Sequence, residues 1–139
     1  MQIENIKGLI VLVSIGREET QHFVPAWTPW LQHHFPQWAM IDIDNRSDPM
    51  FLSYVQKAMT EHKHTLFLID IKTSEEEGSL GGVFSLLQQV VRDRANQPSV
   101  ILHGKHGTIE KMGRAFQEFY QALSEEETKK TLNLVLGRQ

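Results

Sequence analysis

This sequence predicts a three-layer αβα fold: a doubly wound, flavodoxin- or Rossmann-like sheet of four mainly parallel strands, closed by a C-terminal helix. Three observations lead there. Four short apolar runs, Leu9 to Val13, Ala39 to Ile41, Leu66 to Ile69 and Val100 to Leu102, are continuous rather than alternating, as in strands covered on both faces. Segments of helical period separate them, and strand–helix–strand crossovers join parallel strands. Each run also ends near a residue that chemistry can use, Ser14, Asp42, Asp70 and His103, where open α/β sheets gather their ligands.

Leu9 to Val13, bounded by Gly8 and Gly16, reads as the central strand. One short helix is expected between Arg17 and Gln37, because Trp27, Trp30, Leu31 and His34 keep helical spacing while Pro25, Pro29 and Pro36 limit its length. Trp38 to Ile43 forms the second strand. Asp48 caps the next helix: its carboxylate can accept from orphan amides, and Pro49 at the first position lacks the hydrogen a helix start cannot use. Phe51, Leu52, Val55, Ala58 and Met59 give that helix one apolar face, and His62-Lys63-His64 suits its negative end.

Thr65 to Ile71 is the third strand. A polar loop, Lys72 to Gly78, leads to Ser79 as cap of a third helix carrying Leu80, Val83, Phe84, Leu87, Val90 and Val91. Ser99 to His103 follows Pro98 as the fourth strand. A fourth amphipathic helix is expected from Ile109, Met112, Phe116, Phe119, Tyr120 and Leu123. Ser124 with Glu127 matches a capping box, which favours a final helix up to Gly137, although Leu132, Leu134 and Leu136 also alternate as in a strand. With the first helix on one face and later helices on the other, the strand order is 2-1-3-4. The switch point then sets Ser14 and Gly16 beside Asp70.

The 139 residues suit a single domain, 1–139. A formal charge of −3 with no basic stripe argues against nucleic acid as a partner. No cysteine is present, which excludes disulfides, Fe–S clusters, thiol nucleophiles and Cys-ligated zinc. The apolar runs are far too short to cross a bilayer, so no membrane association is expected, and a cytoplasmic setting is the default.

Three groups of residues can carry chemistry. Gly104, Lys105, His106, Gly107 and Thr108 form a glycine-bearing loop entering a helix, where open amides, the helix dipole and Lys105 suit a small anionic ligand. Asp42, Asp70 and His103 form a candidate acid/base or polar site. Ser14, Gly16 and Ser79 are expected to line the crevice. His33-His34 and His62-Lys63-His64 lack carboxylates at metal-ligand spacing, so no metal site is read, and no cofactor is assigned. Phe23, Trp27, Trp30, Phe35 and Trp38 concentrate large aromatics; they suit a core face, with Trp27 and Trp30 as candidates for a homodimer contact.

Asp42-Ile43-Asp44 resembles the aspartate pair of haloacid dehalogenase-like proteins. Arg46 replaces the usual Thr or Val, and the pair sits on the second strand, so the nucleophile role is not carried over. Ser79 with Gly81 resembles part of the α/β-hydrolase nucleophile elbow, but Glu77 stands where that elbow needs glycine and no strand leads directly into Ser79. The order of elements is similar to that of nucleoside deoxyribosyltransferase-like and Toll-receptor-like domains, without a shared motif. The resulting expectation is a small soluble binding or regulatory domain with a ligand or partner site at the strand ends. The alternative is a hydrolase or transferase acting on a phosphorylated or nucleoside-like substrate.

Overall fold

Five parallel strands in the order 2-1-3-4-5 build the sheet. The computed structural model describes residues 6–16, 27–72, 79–93 and 97–138. Phe23, Pro25 and Glu75 to Glu77 lie outside the described residues. The elements are β1 (Gly8–Ile15), α1 (Trp27–His34), β2 (Trp38–Asp44), α2 (Pro49–Thr60), β3 (Thr65–Ile71), α3 (Gly82–Arg92), β4 (Ser99–His103), α4 (Gly107–Met112), β5 (Glu118–Ala122) and α5 (Glu125–Leu136).

Two apolar clusters sandwich the sheet because successive side chains of a strand point to opposite faces. Leu9, Val11, Val13, Phe67, Ile69, Val100 and Leu102 meet α2 and α3 on one side. Ile10, Leu12, Leu66, Leu68 and Ile101 meet Trp27 and Leu31 of α1 and Leu132, Val135 and Leu136 of α5 on the other. Both faces of β1 are therefore buried, as its unbroken apolar run requires. The doubly wound reading holds, with α1 and α5 opposite α2 and α3.

Helix starts follow local chemistry in two places. The Asp48 carboxylate accepts from the Phe51 N–H at 2.9 Å, with Pro49 at the first position. The Ser124 hydroxyl accepts from the Glu127 N–H at 3.1 Å and reaches the Glu127 carboxylate at 3.2 Å, starting α5 as a helix rather than a strand.

Two expectations need correction. The sheet has five strands, not four, because the expected fourth helix stops early: α4 ends at Met112, a 3₁₀ turn spans 113–115, and Glu118–Ala122 joins β4 as an edge strand. Phe116, Phe119 and Tyr120 fit a helical stripe, yet Gly113 interrupts it and packs under Phe119, whose ring lies 2.7 Å from where a Cβ would stand. Apolar spacing over so short a run does not separate a helix from a strand. Ser79 does not cap α3 either. The cap is Gly81, at φ +55°, and no side chain caps that end.

Candidate functional site

Strand register brings the reactive endings together. Ser14 pairs with Asp44 on one side and Asp70 on the other, Asp70 pairs with His103, and His103 pairs with Ala122. Residues at one level of a parallel sheet share a face, so Asp44, Ser14, Asp70 and His103 make a polar row on the α1/α5 side. Asp42 is not in that row. It lies level with Leu12 and Leu68, one side-chain repeat further back on the edge strand, and two strand spacings (about 10 Å) from β3. Asp42 is exposed overall, while partial burial of its carboxyl lifts its pKa above the ordinary value.

Asp70 is the centre of the row. It is 7% exposed, and the Trp27 side chain hydrogen-bonds its carboxylate. Burial raises its pKa, and that effect outweighs the lowering from Lys72, His103 and the Trp27 hydrogen bond. The Lys72 Nζ is 3.9 Å away, too far for a tight charge-assisted bond. Among the described residues, the charge of this carboxyl is thus only loosely compensated.

His103 is fixed from two directions. Its Nδ1 lies 2.6 Å from the hydroxyl of Thr128, a fully buried residue on α5, and the Trp27 ring meets the imidazole edge-on with centroids 5.1 Å apart. A hydroxyl can donate to a neutral Nδ1 and accept from a protonated one, so the pairing serves either form of the ring. Trp27, expected as an interface residue, is buried in this cluster. Trp30 is half-buried, stacked on His34 with Lys129 of α5 over its ring at 5.3 Å.

The neighbouring loops are tied by Asn45. Its side-chain amide donates to the Gly16 carbonyl at 3.0 Å and to the Ser79 carbonyl at 2.8 Å, and its oxygen accepts from the Gly16 N–H at 3.4 Å. Gly81 packs on the same residue: a Cβ there would stand 2.1 Å from the Asn45 carbonyl oxygen, in a backbone conformation that favours glycine. Gly16 and Ser79 are therefore joined through the Asn45 side chain.

The Gly104 to Thr108 loop divides its roles. Gly104, at φ +113°, ties β4 to β5: its N–H donates to the Ala122 carbonyl, and its carbonyl accepts from the Gln121 amide. His106 is buried and caps α4, its Nδ1 accepting from the Ile109 N–H at 3.4 Å while its own N–H donates to Glu110 at 2.9 Å. Lys105 is exposed, and Gly107 and Thr108 open α4. His106 thus serves the helix start.

Thr128 and Asn45 were the positions hardest to foresee. Thr128 had one signal: a hydroxyl on the helix stripe that Leu132, Val135 and Leu136 bury must find a partner inside. Among the described residues, no three His, Cys, Asp or Glu side chains gather to hold a metal ion, and no helix is long and apolar enough to cross a membrane. The strand order and helix placement define the class as a doubly wound parallel α/β fold. Comparison with family models, curated proteins and solved structures finds no match for this chain.

Proposed function

We propose that this chain is a binding or regulatory α/β domain that takes a small polar ligand at the carboxyl ends of β1, β3 and β4, over Asp70 and His103. The observation that carries this reading is Asp70, a nearly buried carboxyl raised in pKa beside an imidazole in register with it. A buried and loosely paired carboxylate costs folding energy, and groups kept at such a cost cluster at functional sites. Ser14 supplies a hydroxyl beside Asp70 in the row, and Lys72 and Lys105 supply positive charge for an anionic group. A cytoplasmic setting belongs to the same reading.

Thermal unfolding of the wild type against panels of phosphates, nucleotides and carboxylates tests it. A saturable rise in Tm with one class is expected, since a ligand bound only to the folded state stabilises it. His103→Ala should reduce that rise, and Lys105→Ala should reduce it for anions. No rise with any class would overturn the reading.

The hydrolase or transferase alternative draws on the same pair. Its support is that Asp70 and the hydroxyl-bonded His103 are level on neighbouring strands, where both can reach one bound substrate. Asp42, two residues short of the row on β2, does not stand level with them. Turnover of phosphoester or nucleoside substrates, abolished in Asp70→Asn, would establish it.

A further inference from the structure

Among the described residues, the outer edge of β2 is left open. In a parallel strand, the N–H and C=O of one residue point to one side and those of the next to the other. The Gln37 carbonyl accepts from Lys7 and the Asn45 N–H donates to the Ser14 carbonyl, so odd-numbered residues of this stretch face β1 and Trp38, Met40, Asp42 and Asp44 face outward. The chain engages both ends of that outer edge itself. The Trp38 N–H donates to the Phe35 carbonyl, and Ser47 takes both groups of Asp44, its hydroxyl accepting the N–H and its own N–H donating to the carbonyl. Between them, no partner among the described residues takes the outer groups of Met40 and Asp42. Unpaired strand edges of this kind are templates for another strand.

A second observation lies beside that edge. On α2, Gln56 hydrogen-bonds Gln89 of α3, and Leu52, Val55 and Met59 face the sheet. Helical spacing then turns Phe51 and Tyr54 to the flank away from α3, above the β2 edge. Their rings are stacked at 6.1 Å and remain 39% and 55% exposed, with Met50 beside them 84% exposed. An added strand alone would satisfy Met40 and Asp42 yet leave these side chains in water. A second copy of this chain brings a strand and a helix together.

We propose that two copies join through antiparallel pairing of their β2 edges, with the dyad at Ile41 and the α2 flanks packed across it. This register sets Met40 opposite Asp42 of the other copy, where each exchanges both outer backbone groups, and leaves the self-closed ends at Trp38 and Asp44 outside the new hydrogen bonding. It places Asp44 opposite Trp38, so no aspartate faces another; a shift of the dyad to Asp42 would bring that carboxylate against itself. The contact is isologous and closes as a dimer. It is distinct from the strand-end site and does not depend on it.

Sedimentation of the purified chain across micromolar concentrations should show a monomer–dimer equilibrium. Phe51→Glu with Tyr54→Glu should weaken dimerisation at least tenfold, and Phe84→Glu, an exposed aromatic on α3 turned away from α2, should change it less than twofold. Because the chain has no cysteine, register can be read directly. Under mild oxidation Ile41→Cys should form a disulfide-linked dimer, since opposed residues of an antiparallel pair fall within disulfide reach. Ala39→Cys, which would face Ile43, should not. A monomer at every concentration, a dimer indifferent to the α2 substitutions, or equal cross-linking at both cysteines would overturn the proposal.

Discussion

The carboxyl edge of the sheet has two halves that differ in how their polar groups are satisfied. On the β2/β1 side, Asn45 binds Gly16 and Ser79 through three hydrogen bonds, and Gly81 closes onto its backbone. On the β3/β4 side, Asp70 is buried with the Lys72 ammonium 3.9 Å away, and the His103 Nδ1 meets the Thr128 hydroxyl while its ring meets Trp27. One half is a joint and the other holds a buried carboxyl whose pKa is raised by burial. Polar residues at strand ends are therefore of two kinds, and how completely they are paired tells them apart.

Substitutions can break this contrast. Gly81→Val should cost the most, about 3 kcal/mol or more in urea unfolding, because a side chain there meets the Asn45 carbonyl in a backbone region closed to β-branched residues. Asn45→Ala should cost about 2–3 kcal/mol by the same measurement, about 1 kcal/mol for each hydrogen bond lost. Both changes should leave the ligand response of surviving folded protein intact. A loss of that response at constant stability would show that the joint belongs to the site.

The other half should respond differently. Thr128→Val leaves the His103 Nδ1 without its partner and should cost about 1–2 kcal/mol, with the imidazole resonances shifted in NMR spectra, while Thr128→Ser should restore both. Asp70→Asn carries the smallest effect and the opposite sign. Burial raises the folded-state pKa of Asp70 above 3.8, so between those values the folded state binds more protons than the unfolded one. Its contribution to stability is full below 3.8 and is lost as pH rises through the folded-state pKa. Asp70→Asn should therefore raise the neutral-pH Tm, with the gain fading as pH falls toward 3.8; a lowered Tm at neutral pH would mean the ionised carboxylate is a net stabiliser.

Much of this molecule was legible in one dimension. The unbroken apolar run of β1, the Asp48-Pro49 start of α2 and the Ser124 start of α5 each follow from short-range chemistry that the chain carries with it. Ser14, Asp70 and His103 stood out because each ends an apolar run, and register sets them level. Asp42 stood out for the same reason and misses the row, because where a run ends does not say how far the strand continues. Here β2 reaches Asp44, which takes that place.

Sequence by itself determined the class of the fold, the alternation of its elements and three of the residues at the strand ends, since these rest on periodicity, capping and the burial demand of continuous apolar runs. Tertiary structure decided the rest. It turned Glu118–Ala122 into a fifth strand, gave Asn45 and Thr128 their partners, and sent Trp27 inward to Asp70 and His103. Those outcomes depend on groups 29, 34 and 25 positions apart for Asn45–Gly16, Asn45–Ser79 and His103–Thr128. Hydrogen-bond partners so distant along the chain leave no local pattern, and only the packed sheet brings them within reach.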